Sequence, residues 1–288
     1  MAVRYHRVGM AGSGRVARAL ALALAPFSAE PVLLWGRSPE RVRDAAEVAG
    51  ASAAEAIEWL TERCDAIVLA VADDALAAVA ASLAAALAPG RDPFVCHVSG
   101  GSGAAVLGAL AARGALTAAV HPAMTFTGDP VQEVERMAGA RFAITAPDGE
   151  ALAEARTLVG LLGGVAVAIT EDRRALYHAA LSHAANHLVT LLGGASHALR
   201  VAGADEPEAL LAPLVRAALE NSLAKGFGAL SGPLLRGDGE TIAAHIDAIM
   251  RDCPDLLPAY RAMALATLDE LDRSGAVSAP ELRAIVAG

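Results

Sequence analysis

Three small residues at fixed spacing carry the first recognisable chemistry of this chain. Gly12-x-Gly14-x-x-Ala17 lies within Gly9-Met10-Ala11-Gly12-Ser13-Gly14-Arg15-Val16-Ala17, directly after an apolar β-type run and directly before an Ala/Leu-rich helical stretch. A first glycine permits the tight turn, a second lets a pyrophosphate approach the backbone, and a small third residue lets helix close on strand. The helix N-terminus then presents free N–H groups and the positive end of its dipole to the phosphates. The pattern predicts a dinucleotide held by Gly12, Ser13, Gly14, Arg15 and Val16. Glycines also occur in plain turns; the position between strand and helix, with Val32–Trp35 following as a second strand, is what gives this pattern weight.

The end of that second strand bears on which dinucleotide. A carboxylate there would hydrogen-bond the ribose 2′-OH of NAD, whereas this chain has Gly36-Arg37-Ser38, with Arg41 one helical turn later. A guanidinium and a hydroxyl suit the 2′-phosphate of NADP, which a carboxylate would repel. NADP(H) is therefore the expected cofactor. A plainer reading also fits: Arg37 as an exposed arginine and Ser38 as the cap of a helix starting at Pro39. Val71 and Ala72, after the β-type run Ala66–Val71, are expected in the loop beneath the cofactor. Asp73 and Asp74 next to them also read as helix N-terminal charges.

These residues need a scaffold, and the pattern of runs supplies one. β-type runs at 5–10, 32–35, 66–71, 94–98, 118–120, 142–145 and 166–169 alternate with helical stretches such as 39–49, 75–87, 104–113 and 149–162. Such alternation predicts a doubly wound parallel sheet. Beyond about Thr170 the β-type runs stop, and apolar-periodic segments are divided by turns at 203–207, 232–233 and 254–258. The expected organisation is α/β then all-α: a Rossmann domain over 1–171 and a helical domain over 172–288.

The composition narrows the function further. With 23 basic against 32 acidic residues in 288 and a formal charge of −9, the chain lacks the basic footprint of a nucleic-acid binder. The apolar runs are interrupted by Arg18, by Asp73 and Asp74, or by Pro89, short of a membrane span. Arg15 and Arg18 ahead of Ala19–Phe27 imitate a secretory leader, but those residues are needed for the first helix. Cys64, Cys96 and Cys253 are scattered and form no C-x-x-C pair, which fits a reducing cytoplasm and neither a disulfide framework nor a thiolate metal site. Of the basic residues, Lys225 is the only lysine.

Six short motifs in order then resemble a known group. Gly12-x-Gly14-Arg15-Val16, Leu69-Ala70-Val71-Ala72-Asp73-Asp74, His97-x-Ser99-Gly100, His121-Pro122-x-x-Thr125-Phe126, Tyr177-His178-Ala179-Ala180 with Asn186, and Gly232-Pro233-x-x-Arg236-Gly237-Asp238 resemble Rossmann-like proteins with a DUF2520 C-terminal domain. That group is similar in architecture to pyrroline-5-carboxylate reductase, ketopantoate reductase and the 6-phosphogluconate dehydrogenase-like enzymes. The resemblance implies an NADP domain, a helical domain that often forms a homodimer, and a reductase site in the cleft between them. It makes 2-dehydropantoate (ketopantoate) the leading specific substrate.

Hydride delivery to a carbonyl leaves negative charge growing on oxygen, so a reductase needs a proton or hydrogen-bond donor close to it. Related dehydrogenases use a lysine four residues before an asparagine on one helix face. Here Asn186 is present, but Ser182 stands where the lysine would be. His178, four residues before Ser182 and eight before Asn186, shares their face, and imidazole titrates near neutrality. His178 is the first expected proton donor or orienter, with Ser182 and Asn186 as substrate ligands and His121 as a second donor from the opposite wall. Ser99, in Ser99-Gly100-Gly101, reads equally as part of a substrate loop and as a plain turn.

Other candidates are weaker. His183 and His187, four apart, lack a third metal ligand, and no metal is expected. Arg173, Arg174 and Arg236 are each possible anchors for a substrate carboxylate, and Lys225 reads first as a helix-end charge. The sequence thus predicts an NADPH-dependent reductase of a small keto acid. An imine reductase of the pyrroline-5-carboxylate type and a non-catalytic NADP(H)-binding regulator are the alternatives.

Overall fold

The computed structural model describes residues 2–275 and 280–288. The chain divides into two compact units, Met1–Leu181 and Ser182–Gly288.

The first unit is built on one sheet of eight strands: β1 (Val8–Ala11), β2 (Leu33–Trp35), β3 (Ser52–Ala53), β4 (Ala66–Leu69), β5 (Phe94–His97), β6 (Leu116–Pro122), β7 (Arg141–Thr145) and β8 (Val165–Ala168). Their order is β3-β2-β1-β4-β5-β6-β7-β8. The helices are α1 (Arg15–Leu24), α2 (Pro39–Ala49), α3 (Glu58–Arg63), α4 (Asp73–Ala86), α5 (Gly108–Ala111), α6 (Pro130–Met137) and α7 (Gly149–Leu161). β1, β4 and β5 are buried at every residue. That is why they read as unbroken apolar runs, as strands covered on both faces do. Separate apolar clusters lie on the two faces, one including Leu20, Leu24 and Phe142, the other Leu60, Leu83 and Leu107. Chain order reverses between β1 and β4, and the carboxyl ends of strands at such a switch point form a crevice for ligands.

Three expectations are corrected. The sheet is not wholly parallel, because β7 runs antiparallel to β6, placing His121 opposite Ala143. The first strand starts at Val8 rather than Tyr5: the N–H groups of His6 and Arg7 donate to the Asp65 carboxylate, at 3.0 Å each, instead of to a neighbouring strand. The stretch from Ala104 is a 3-10 turn, Ala104–Leu107, leading into the four-residue α5 rather than one continuous helix. β3, with two residues, and α6, with eight, are too short to stand out in the sequence.

The chain then enters α8 (Arg174–Val201) directly from a 3-10 turn over Glu171–Arg173, so the first two turns of this 28-residue helix belong to the sheet unit. The second unit contains the rest of α8, α9 (Pro207–Lys225), α10 (Pro233–Arg236), α11 (Gly239–Asp252), α12 (Leu257–Arg273) and α13 (Pro280–Ala287). Its core joins Ile242 and Ile246 of α11, Leu268 and Leu271 of α12, and Leu282 and Val286 of α13. Lys225 ends α9, where the dipole favours a cation. Among the described residues no helix is long and apolar enough to cross a membrane, and Cys64, Cys96 and Cys253 are buried free thiols.

Candidate functional site

At the switch point a cavity of about 500 Å³ is lined by Gly12, Ser13, Gly14, Trp35, Gly36, Arg37, Ser38, Arg41, Ala70, Val71, Ala72, Ala75 and Val79. Its floor is the β1–α1 turn. Gly12 has φ +137°, and a Cβ there would run into the Ala70 carbonyl, so only glycine lets this turn lie against β4. Gly14, the N-cap residue of α1, has open space beside it, and no side chain caps the helix or places an acid in its first turn. The helix therefore keeps its N–H groups and positive dipole free for phosphate.

Arg37, Ser38 and Arg41 form the far rim, and no carboxylate lines the cavity. Ser38 also caps α2, accepting from the Arg41 N–H at 3.5 Å. The plainer reading of Ser38 thus coexists with a place at the cavity. These residues fit NADP(H): backbone for the pyrophosphate, and two cations with a hydroxyl for a 2′-phosphate. Sequence reasoning missed Trp35, which lines both this cavity and an adjoining depression of about 380 Å³ that also includes Asp74. Arg15 and Val16 stand apart: Arg15 lies against Gly128, and Val16 packs on the apolar core. Asp73 and Asp74 occupy the first turn of α4.

A second constellation gathers at the ends of β5 and β6 with the start of α8. His121 comes from β6, and Tyr177 and His178 from α8. The His121 and His178 rings are 5.9 Å apart by centroid at 72°, so they are neighbours rather than opposite walls. Gly100 explains how they meet. A Cβ at this residue would lie 2.5 Å from His178 Cδ2, 2.9 Å from His121 Nε2 and 3.0 Å from His178 Nε2, so the two rings fill the space of the missing side chain. On the other side of the ring, His121 Nδ1 is hydrogen-bonded to the Tyr177 hydroxyl at 2.8 Å.

The Ser99–Gly103 loop beneath the rings is held from three directions. Buried His97 accepts the Ser99 N–H at Nδ1 (3.2 Å), which leaves Nε2–H to donate to the Gly103 carbonyl (2.9 Å). Arg174, 1% exposed, donates to the carbonyls of Ser99 (2.6 Å), Ser102 (3.0 Å) and Ala143 (3.2 Å). The Glu171 carboxylate accepts from Ala104 N–H (2.8 Å) and Ala105 N–H (3.3 Å), and a Cβ on Gly103 would collide with it. Arg174 is therefore committed to backbone and is not a free carboxylate anchor. Ser99 faces inward, its hydroxyl accepting from Ser102 N–H at 3.2 Å. The roles of Arg174, Glu171 and Tyr177 in holding this site are not visible in the sequence, since the partners that define them lie 31 to 75 residues away.

Ser182 is half-buried and Asn186 exposed, so no burial penalty explains this amide within the chain. The exposed His183 and His187 meet each other, Nδ1 to Nδ1, at 3.0 Å. Among the described residues no three metal-ligating side chains converge.

Burial, with the nearby charges of Arg174 and His178, pushes His121 down to about 4. Burial likewise lowers His97 and raises the Tyr177 phenol, with Arg174 acting in the opposite sense on Tyr177. Near neutrality His121 is an uncharged imidazole and Tyr177 an intact phenol. One stability prediction follows. Between pH 6.5 and about 4 the unfolded chain protonates this histidine and the folded chain does not. Stability is thus intact above 6.5 and falls as pH drops through the window, by about 3 kcal/mol for this group. His121→Gln should flatten the fall in melting temperature between pH 7 and 4.5; an unchanged pH profile would contradict the shift.

A glycine-turned, mostly parallel sheet followed by helices places this chain among Rossmann-type nucleotide-binding proteins. Residues 2–122 match the Rossmann-like domain and residues 140–267 the domain of unknown function DUF2520, so the chain joins these two domains. The fold is shared with several solved structures. Protein TM1727 of Thermotoga maritima is 21% identical over 93% of this chain and 99% of its own, with TM-score 0.69. BF3122 of Bacteroides fragilis, provisionally described as an NADP oxidoreductase, is 18% identical over 91% and 97%, with TM-score 0.76. A reductive aminase of Aspergillus terreus, solved with NADPH and ethyl-5-oxohexanoate, is 18% identical over 98% of both chains, with TM-score 0.68. No curated protein matches the chain.

Proposed function

We propose that this protein is an NADP(H)-dependent oxidoreductase that reduces a small carbonyl or imine substrate. The observation that carries the reading is the uncapped glycine turn opening on a cavity with Arg37, Ser38 and Arg41 at its rim and no carboxylate in its lining. The bound nicotinamide supplies hydride to the substrate carbon. The chain's own part is to hold the dinucleotide, to orient the substrate and to deliver a proton to its heteroatom. His121 and His178, converging over Gly100, are the candidates for the last two tasks. Ser182 and Asn186, at successive four-residue steps along α8, are candidate substrate ligands. Ser99 serves by shaping the loop under the rings.

Ketopantoate is the first specific substrate in this reading. An imine is the second, favoured by the fold shared with the Aspergillus terreus reductive aminase. The proposal extends to a cytoplasmic homodimer. Leu176 and Val189 of α8 and Leu214 and Leu223 of α9 are 65%, 72%, 66% and 81% exposed, an unusual number of bare large apolar side chains for a lone chain. Light scattering should therefore give about twice the 29.1 kDa chain mass; a monomer at micromolar concentration would refute the pairing.

Fluorescence titration with NADPH and NADH tests the cofactor. Saturable NADPH binding at least tenfold tighter than NADH is expected; no saturable NADPH binding would overturn the proposal.

A further inference from the structure

A neutral imidazole is a poor acid by itself. If it releases the proton on Nε2 without gaining one on Nδ1, it becomes an imidazolate, which is far too basic to form at neutral pH. His121 is held neutral, so it can protonate a substrate only if its other nitrogen is supplied at the same time. The group in position to do so is the Tyr177 hydroxyl, 2.8 Å from Nδ1.

We propose that Tyr177 and His121 form a two-proton relay, in which Tyr177 O–H donates to His121 Nδ1 while His121 Nε2–H protonates the substrate heteroatom. The inference rests on the reductase reading and names the proton path of that same site.

The step balances. As the substrate carbon accepts hydride, the π pair of C=O moves onto oxygen, and that oxygen takes the proton from Nε2. Nδ1 takes the phenolic proton, so the imidazole ends neutral as the opposite tautomer and the deficit comes to rest on Tyr177 as phenolate. For an imine the same proton reaches nitrogen before hydride arrives. Once product has left, solvent supplies a proton to Nε2 while Nδ1 returns its proton to the phenolate, so the phenol and the first tautomer are restored together.

The surroundings suit a transient phenolate. The Arg174 guanidinium carbon lies 5.5 Å from the Tyr177 ring centroid. Because all three of its donor nitrogens are bonded to uncharged carbonyls, its positive charge is not cancelled by a touching carboxylate. With a carbonyl substrate the proton moves downhill, because an alkoxide is several orders of magnitude more basic than a phenolate. Arg174 thereby gains a second role: it fixes the loop under the rings and carries the countercharge for the relay. Tyr177 acts through His121 and is a positioning and relay residue.

The test uses the full chain with ¹⁵N-labelled histidine and the variant Tyr177→Phe, which keeps the ring and lacks the phenolic proton. In the wild-type protein at neutral pH, His121 should give the shifts of an Nε2–H tautomer with a hydrogen-bonded Nδ1, and Nδ1 should move toward the free-acceptor position in Tyr177→Phe. With NADPH and a reducible substrate, kcat should fall about 100-fold, with NADPH affinity unchanged. Rates in H₂O/D₂O mixtures should bend with deuterium fraction in the wild-type protein and become linear in the variant, as two protons in flight reduce to one. A loss of structural support alone would not change that curvature. An Nδ1–H tautomer in the wild-type protein, a linear dependence there, or a kcat within twofold in Tyr177→Phe would each overturn the relay. If no substrate is reduced, the reductase reading fails, while the histidine spectra still decide the hydrogen-bond direction by themselves.

Discussion

Arg174→Met is expected to lower the melting temperature by roughly 10 °C. The side chain is among the largest fully buried ones, and its donors satisfy carbonyls from two separate segments, Ser99 and Ser102 in the loop and Ala143 in β7. Methionine fills most of the volume but leaves those acceptors without partners in a dry setting. Each unsatisfied group costs about 1–3 kcal/mol, and partial relaxation brings the total to about 3–5 kcal/mol. Arg174→Lys keeps the charge but cannot reach three carbonyls at once, and should fall between the two. Differential scanning calorimetry reads all three proteins; a shift below about 2 °C for the methionine variant would mean that the loop does not depend on this clamp.

The second large effect concerns cofactor choice. Arg37→Glu combined with Arg41→Glu should weaken NADPH binding about 100-fold, at roughly 1.4 kcal/mol for each charge-assisted hydrogen bond to the 2′-phosphate that is removed, while NADH changes by less than threefold. The two side chains are exposed rim residues of the cavity rather than parts of the core, so the fold should survive the change. Because these interactions are electrostatic and wet, added salt should weaken NADPH binding to the wild-type protein and leave the double variant nearly insensitive. A double variant with undiminished NADPH preference would assign the 2′-phosphate to other residues.

The cofactor end is legible in sequence because its determinants are local. The turn Gly12-Ser13-Gly14, the strand before it and the helix after it lie within about 20 residues, and the absence of an acid at residues 36–38 is visible without coordinates. The proton-handling end is legible only in part. His121 and His178 can be named from their residue type and the motifs around them. Their meeting over Gly100, and the bond from Tyr177 to His121, depend on α8 returning to the ends of β5 and β6. Arg174 shows the same limit. By composition it is one of many arginines and looks like a carboxylate anchor, and only its burial beneath the loop shows that its donors are committed. The antiparallel turn at β7 also leaves no local signal, because Arg141–Thr145 is buried from Phe142 onward and reads like its parallel neighbours.

The most direct measurement is the loss of NADPH absorbance with purified protein against ketopantoate, other 2-keto acids and cyclic imines, with NADH in parallel. The expected result is saturable oxidation of NADPH with at least one of them, little with NADH, and loss of that turnover in His121→Ala with NADPH affinity retained. NADPH that binds but is never oxidised by any member, or turnover untouched by His121→Ala, would contradict the assignment of this protein as a reductase working through that histidine.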